Sequence, residues 1–497
     1  MVKGFYLRFG EGIDEAANKR ALGLMRALLE EPHPAITDLI PGYASLYVEY
    51  DARLAREGEI RAYLAGKEPR YEESPREVEI PVRYDGPDLS DLADWAGISE
   101  EEVVRRHAGR TYRVYAVGFL PGFPFLAPVD EKIARPRLPR PRREVYPHAV
   151  GVAGRQTGIY PLKSPGGWNL IGRALVAVYD PARKKPFLLA PGDRVRFVEA
   201  EGEPPPEPEG ISLLETEPEK PVLRVLEEGL VDLVVDSGRR MGGRFGLAKS
   251  GPLDPLSFAV ANRLLANPPD APALEVSLKG PRLEVLADAV FAYAGFGLVP
   301  RLDGEEVPPF TSFLAKKGQV LDFLPKGHGA RGYLAVMGGL AAREFWGSRS
   351  VDLRAKVGRP LRAGDVLGRG EGAARPGFSY RPFRAPSREV RLRLLPGPQA
   401  NREALFALCR GSFEVSAADR VGVRLSGPPV PGGEVTSEAV PLGAVQVPPA
   451  GEPIILLADR GTLGGYQKPA VVDPRDLPLL GQVVVGDRVR FVLDSCP

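Results

Sequence analysis

PGDRVRFV at 191–198 returns as VGDRVRFV at 485–492, with seven identical residues in two distant parts of the chain. A Gly-Asp pair ahead of an alternating Val-x-Phe run reads as a tight turn that feeds a strand with one apolar face. A third copy, AGDVLGRG at 363–370, keeps the turn and a shorter strand. Three copies of one closing element imply duplicated β units, and so a chain of several domains. The length of 497 residues agrees, since roughly 150 residues per domain predicts three or four.

Composition supports a β reading. The chain holds 57 Gly and 52 Pro, about a fifth of its residues against roughly 12% on average. Disorder would explain such an excess, but most of these residues fall between Val-, Leu- and Phe-rich runs, where they read as turns. Hydrophobic residues at 43% and charged residues at 26% mark a globular chain. No long uncharged apolar run is present, which predicts no membrane span. MVKGFYLRFGEGIDEA lacks the apolar core of a secretory signal, so a cytoplasmic location is expected. Sixty-six basic residues against 64 acidic ones give a net charge of +2 and argue against a nucleic-acid partner. Cys409 and Cys496 cannot build a disulfide scaffold. His33, His107, His148 and His328 lie too far apart for a histidine metal motif, so no metal site is expected. Abundant Arg and Pro with few Cys and Met suit a thermophile.

The fold class expected is mainly β with α+β parts. Residues 1–80 read as a ferredoxin-like α/β unit: a strand at FYLRFG (5–10), a helix from Ala16 to Leu29, two strands around Pro41-Gly42 and a helix from Arg53 to Ala65. Residues 81–200 hold a helical stretch with an S-x-x-E capping box at Ser99 and Glu102, then strands. EAEGEPPPEPEGISLLETEPEK (199–220) reads as a flexible Pro/Glu linker. Residues 221–375 and 376–497 are again mostly strand and turn, with helices at Leu256–Leu265 and Arg402–Cys409.

Three segments could carry chemistry. VGFLPGFPFL (117–126) and GVAGRQTGIYPLKSPGGWNLIGR (151–173) combine Gly, Pro and aromatics with Gln156, Thr157, Lys163, Ser164 and Asn169. They suit an anion cradle of backbone amides, or tight turns over an aromatic core. WGSRSVDLRA (346–355) offers Arg349, Asp352 and Arg354 as carboxylate or phosphate forks, or as a surface ion-pair ladder. LLADRGTLGGYQKPAVV (456–472) delivers Asp459 and Arg460 to a Gly-rich turn at the end of an apolar strand. GRFGLAKS (243–250) falls short of a phosphate loop because Ala248 stands where the second Gly is needed. No amidase serine cluster and no Met-Lys-Met biotin site is present.

These motifs are recognisable together. YAVGFLPGFPFLAPVDEKIARPRLPRPR with the 151–173 run resembles the KipI family, the B-type component of 5-oxoprolinase. FGLAKSGPLDPLSFAVANRLLANPPDAPALEVSLKGP (245–281), GGLAAREFWGSRSVDLRA (338–355), LLPGPQ, SAADRVGVRLSGPP (416–429) and the 456–472 run resemble the KipA family, the C-type component of 5-oxoprolinase. The chain thus resembles a KipI–KipA fusion joined at the Pro/Glu linker. The resemblance implies a cyclophilin-like β-barrel for residues 81–200 and two related β-barrel halves for 221–375 and 376–497. It is shared with the carboxyltransferase domain of urea carboxylase.

The resemblance implies an ATP-dependent 5-oxoprolinase that uses Mg²⁺ and works with a LamB/YcsF-type subunit to open 5-oxoproline to glutamate. Alternatives are a regulator that binds a sporulation-type histidine kinase and a carboxyltransferase without its biotin carrier; allophanate hydrolysis is excluded. Assembly as a homo-oligomer is also an expectation. Carried over by motif, Asp352, Asp459, Lys468 and His107 are the catalytic candidates. Gln156, Thr157, Tyr160, Ser164, Gly166, Gly167, Trp168 and Asn169 match KipI as binding candidates. Arg349, Arg354, Arg420, Arg460, Gly464, Gly465 and Tyr466 match KipA in the same role, with Asp419 beside them. Arg349, Arg354, Arg460 and Lys468 would hold carboxylate or phosphate, while Asp352 and Asp459 would orient Mg²⁺ or act as acid and base. Two runs depart from the family: EVYPHAV (144–150) introduces His148, and VVDSGRRMGGRFG (234–246) is read as losing a Gln-Asp pair.

Overall fold

The computed structural model describes residues 2–382 and 385–493. Cys496 lies outside the described residues.

Residues 2–65 run strand, helix, strand, strand, helix, which is the ferredoxin-like order with three strands. Ser45–Asp51 lies between Val2–Arg8 and Ile36–Pro41, antiparallel to both. Helix Glu15–Glu30 starts where the Asp14 carboxylate accepts the Ala16 and Ala17 N–H groups. Its Leu22, Met25 and Leu28 pack with Leu46, Val48 and Tyr50 on one sheet face. The other face presents Ile40, Tyr43 and Tyr47 to an aromatic cluster of the next unit.

That unit is a closed seven-strand barrel. Its ring order is Asn169–Ala174, Glu77–Arg83, Arg194–Glu199, Thr111–Val117, Pro124–Ala127, Gln156–Ile159, Ala149–Ala153. The closing strand lies parallel to the opening one, with Val195 opposite Val78 and Phe197 opposite Ile80. The opening strand begins at Glu77, so the boundary expected at residue 80 falls inside it.

The C-terminal unit repeats this ring. Glu389–Pro396 lies parallel to Arg488–Leu493, with Val489 opposite Val390 and Phe491 opposite Leu392. Phe413–Ala418, Gly422–Ser426, Ile454–Leu456, Ala444–Val447 and Leu463–Val472 follow in order, and pairing of Leu394 with Val472 closes the circle. Glu434–Ala439 is added as an eighth strand.

The repeated Gly-Asp motif has one geometry at all three sites. Gly192, Gly364 and Gly486 have φ of 105°, 88° and 90°, a region open to Gly and strained for other residues. The following Asp193, Asp365 and Asp487 accept the N–H three residues back at 2.8, 2.8 and 3.0 Å. Each glycine N–H donates to a valine carbonyl, of Val114, Val225 and Val415. The third copy then diverges. Val366–Arg369 runs antiparallel to both of its neighbours, in an open sheet. Residues 221–375, expected as a barrel half, instead form a sandwich of a seven-stranded and a five-stranded sheet. Val234, Leu274 and Phe291 of the smaller sheet face the larger one. Leu233, Val235 and Ala292 face helix Pro255–Arg263, so the smaller sheet is covered on both sides.

The expected flexible linker is a docked strap. The Lys163 N–H donates to Glu207 at 3.0 Å, the Lys356 ammonium donates to the Pro208 carbonyl, and the Ile211 N–H donates to the Lys356 carbonyl. Leu213 is 2% exposed within the core of the sandwich. A Pro-rich, acidic composition therefore marks an extended strap here, because its few apolar side chains and its backbone find fixed partners. Among the described residues, no helix is long and apolar enough to cross a membrane.

Candidate functional site

The sequence candidates converge on the seam between the units. The loop after strand Thr111–Val117 places Phe119 and Leu120 against the 236–251 turn of the sandwich and the 459–463 turn of the second barrel. Gly246 is required there: its φ is 80°, and a Cβ would lie 2.3 Å from the Leu120 carbonyl oxygen.

Arg354 ties three units. It donates to the Phe119 carbonyl at 2.9 Å and to the Asp459 carbonyl at 3.1 Å. Burial lowers its pKa, partly offset by nearby Asp352 and Asp459. Its fork is thus spent on main-chain oxygens rather than left open to an anion. Arg420 grips Asp459 through Nε at 2.8 Å and Nη2 at 3.2 Å, bonds Glu275 through Nη1 and donates to the Gly251 carbonyl at 2.7 Å. Burial works against the Arg420 charge, but the two carboxylates outweigh burial and raise its pKa. Burial, with Asp352 nearby, pushes the Asp459 carboxyl up against the pull of Arg420. Both Asp459 oxygens are engaged by Arg420, so a cation-binding role with Asp352 does not fit this arrangement. Among the described residues, no group of three or more His, Cys, Asp or Glu is placed to hold a metal ion.

Two further buried ion clusters flank this one. Glu49, on the N-terminal sheet, lies 3.4 Å from Lys249 and 3.6 Å from Arg460, and accepts from Thr37 at 3.0 Å. Burial opposes ionisation of Glu49, but the two cations hold its pKa below the usual range. Arg460 also donates to the Val440 carbonyl at 2.7 Å. Lys468 is fully buried, 3.2 Å from Glu438, and donates to the Tyr466 carbonyl at 3.2 Å. Burial lowers its pKa against the pull of Glu438. Glu438 in turn reaches Arg8 of the first unit at 3.0 Å.

The barrel signature forms an aromatic wall beside the seam. Phe123 packs 5.1 Å from Tyr160 and 5.3 Å from Trp168, both near-perpendicular. Gln156 accepts from Tyr43 of the first unit at 2.8 Å. A Cβ at Gly166 would strike the Tyr160 hydroxyl. Asn169 donates to the Val152 and Pro136 carbonyls, but its Oδ1 is buried without a partner, as is Ser164 Oγ. Gly167 sits against Pro141, and Gly464 against Gln446. At Gly465 the turn meets the Arg137 guanidinium.

Three candidates fall away from this seam. His107 lies in the barrel core, with Nδ1 2.7 Å from Tyr84 Oη and Nε2 2.8 Å from Thr157 Oγ1. Burial pushes its pKa down to about 3, so it stays neutral, and both ring nitrogens are taken up within the barrel core. Thr157 also donates to the Gly151 carbonyl and serves the same internal network. Arg349 is held by the Ala342 carbonyl and faces Glu344 at 3.8 Å, which is the surface ladder reading. His148, at φ 65°, meets the Pro206 carbonyl of the strap at 3.3 Å.

Sequence reasoning missed Glu49, Lys249, Glu275, Glu438, Arg137, Asp236 and Arg239. The run itself holds an Asp-x-Gly-Arg spacing at Asp236, Gly238 and Arg239. The Asp236 carboxylate accepts from Ser348 and Ser350 at 2.6 Å and from the Arg349 N–H at 2.6 Å, which fixes the WGSRSVDLRA loop. Spacing within that run was the signal available for Asp236 and Arg239. For Glu49 and Glu438, on ordinary strand text, no signal existed.

Comparison with known proteins follows this division. The family "Carboxyltransferase domain, subdomain C and D" matches residues 2–189, and "Carboxyltransferase domain, subdomain A and B" matches residues 245–493. The B-type subunit of 5-oxoprolinase from Bacillus subtilis (strain 168) is 40% identical over 211 residues, covering 39% of this chain and 87% of its own. The C-type subunit of 5-oxoprolinase from Escherichia coli (strain K12) is 33% identical over 282 residues, covering 54% of this chain and 91% of its own. The crystal structure of TTHA0988 is 58% identical, with a TM-score of 0.96 over 99% of this chain and 100% of that one.

Proposed function

The chain belongs to the carboxyltransferase-domain family, with subdomains C–D and A–B in one polypeptide, and on that premise we propose that it is the fused B and C component of an ATP-dependent 5-oxoprolinase. The observation that carries this reading is the successive match of one chain to a B-type and then a C-type subunit of that enzyme. The seam supports it, because Arg354 of the C-like part is bonded to Phe119 of the B-like part. In this reading the B-like and C-like parts act on one substrate, and the seam holds them in fixed register.

In this proposal a LamB/YcsF-type subunit, ATP and Mg²⁺ complete the reaction, which opens the lactam of 5-oxoproline to glutamate in the cytoplasm. The chain's own residues exclude water and orient the substrate at the seam. The aromatic wall of Phe123, Tyr160 and Trp168 supplies an apolar face there. No step is assigned to Asp352 and Asp459 through Mg²⁺, for the reason given by the Arg420 grip.

The test mixes the purified protein with the LamB/YcsF-type subunit, ATP, Mg²⁺ and 5-oxoproline, and follows glutamate. Glutamate that requires both proteins and ATP is expected. No turnover, with tight binding of a histidine kinase instead, overturns the reading. The family description favours a second reading, carboxyl transfer. The sequence has no Met-Lys-Met site, so that reading needs a biotin carrier in trans, and adding a biotinylated carrier with bicarbonate would test it.

A further inference from the structure

Arg239 and Asp352 are the most deeply buried charged pair at the seam, with side chains 0% and 1% exposed. They face each other as an ion pair too long for a hydrogen bond: Nη1 lies 3.8 Å from Oδ2. Arg239 Nε, Arg239 Nη1 and Asp352 Oδ2 all lack a hydrogen-bond partner. The rest of each group is fixed. Arg239 Nη2 donates to the Ser350 carbonyl, its N–H donates to the Lys249 carbonyl, and Asp352 Oδ1 accepts from the Ala355 N–H at 3.0 Å. Buried polar atoms are nearly always satisfied, and leaving one unmet costs roughly 1–3 kcal/mol. Three orphans on two facing groups describe a shape that a ligand completes.

The chemistry of that ligand follows from the orphans. Arg239 offers donors only, and Asp352 Oδ2 accepts only. A carboxylate would satisfy Arg239 and be repelled by Asp352; an ammonium would do the reverse. A group with an acceptor and a donor side by side satisfies both. In a planar amide, C=O and N–H point the same way only in the cis form, which a lactam ring or a cyclic urea enforces. We propose that Arg239 and Asp352 read the cis-amide edge of the substrate, with the carbonyl oxygen accepting from Arg239 and the ring N–H donating to Asp352 Oδ2. This rests on the 5-oxoprolinase reading and names the groups that would select a lactam within it.

Calorimetric titration of the full chain with 5-oxoproline and with its lactone counterpart, in which a ring oxygen replaces N–H, tests the assignment without partner or ATP. Wild-type protein is expected to bind the lactam about 10- to 100-fold more tightly, the value of one unmet buried polar group. In Asp352→Asn the amide oxygen stays on the Ala355 N–H and Nδ2 takes the place of Oδ2, so the preference should invert towards the lactone. Equal affinity of wild type for the two ligands, no binding of either, or an equal loss of both in Asp352→Asn overturns the proposal. The wild-type ligand comparison decides the matter even where the variant fails to fold. Glutamate formation in the mixed assay stands apart: if it succeeds while the lactam and lactone bind alike, the function holds and this site assignment fails.

Discussion

His107 and Asp38 show how burial sets protonation, with opposite consequences for stability. His107 sits 4.5 Å from the Phe197 ring, and burial holds its pKa at about 3. Unfolded, it titrates near 6.5. Between those values the unfolded chain binds a proton that the folded chain does not, so stability falls as pH drops below 6.5. Asp38 is the reverse: burial, then the nearby Glu49 charge, raises its pKa from 3.8 to about 7. In that window the folded chain holds the extra proton, so stability falls as pH rises from about 4 through 7. Between about pH 4 and 6.5 the two slopes oppose each other, so urea midpoints of the wild type are expected to stay nearly level there. His107→Gln should leave the Asp38 slope, a fall in stability as pH rises, and Asp38→Asn the His107 slope, a rise; an unchanged profile in both variants would show these groups do not set it. Neither protonation state was legible in the sequence, since a lone His or Asp carries no record of what will bury it.

At the scale of elements, the Gly-Asp turn was legible because its requirement is local. A positive φ calls for Gly, and the next carboxylate caps an N–H three residues back. Its two full copies also predicted a shared closing strand; in the structure both closing strands lie parallel to the opening one, with Val195 opposite Val78 and Val489 opposite Val390. The third copy shows the limit: the same turn feeds an open sheet, because neighbouring strands decide the pairing. Two glycine substitutions separate backbone strain from steric crowding. Gly486→Ala meets no atom within 4 Å and keeps only the strain of φ 90°, about 1–2 kcal/mol. Gly246→Ala adds a Cβ 2.3 Å from the Leu120 oxygen, and should cost more and loosen the seam. Thermal melts that rank Gly246→Ala as the milder change would contradict this.

The whole molecule is held by charges that cross unit boundaries. Arg420 joins the second barrel to Glu275 of the sandwich, both buried. Arg420→Ala leaves Asp459 without its cation and Glu275 with Arg331 alone, 3.9 Å away, and removing one partner of a buried ion pair typically costs about 3–5 kcal/mol. Chemical denaturation should show that loss, and a change under about 1 kcal/mol would mean the pair is not coupled to folding. The docked strap leads to a second expectation. Cleavage at an engineered protease site within residues 201–205 should leave the two parts co-eluting in gel filtration, since the seam, not the peptide link, joins them. Separation on cutting would show that the covalent link is essential.

By itself the sequence determined the local grammar of this protein: turns, strand alternation, helix starts and the long signature motifs of two subunit families on one chain. These depend on residues near each other along the chain, where Gly, Pro, Asp caps and apolar periodicity act directly. Tertiary structure alone decided which charges meet. Glu49 with Arg460, Lys468 with Glu438, and Arg239 facing Asp352 join residues distant in sequence or in separate elements. The physical reason is that burial raises the cost of every unpaired charge, so the partner is chosen by what folding brings within a few ångströms, and no spacing along the chain records that.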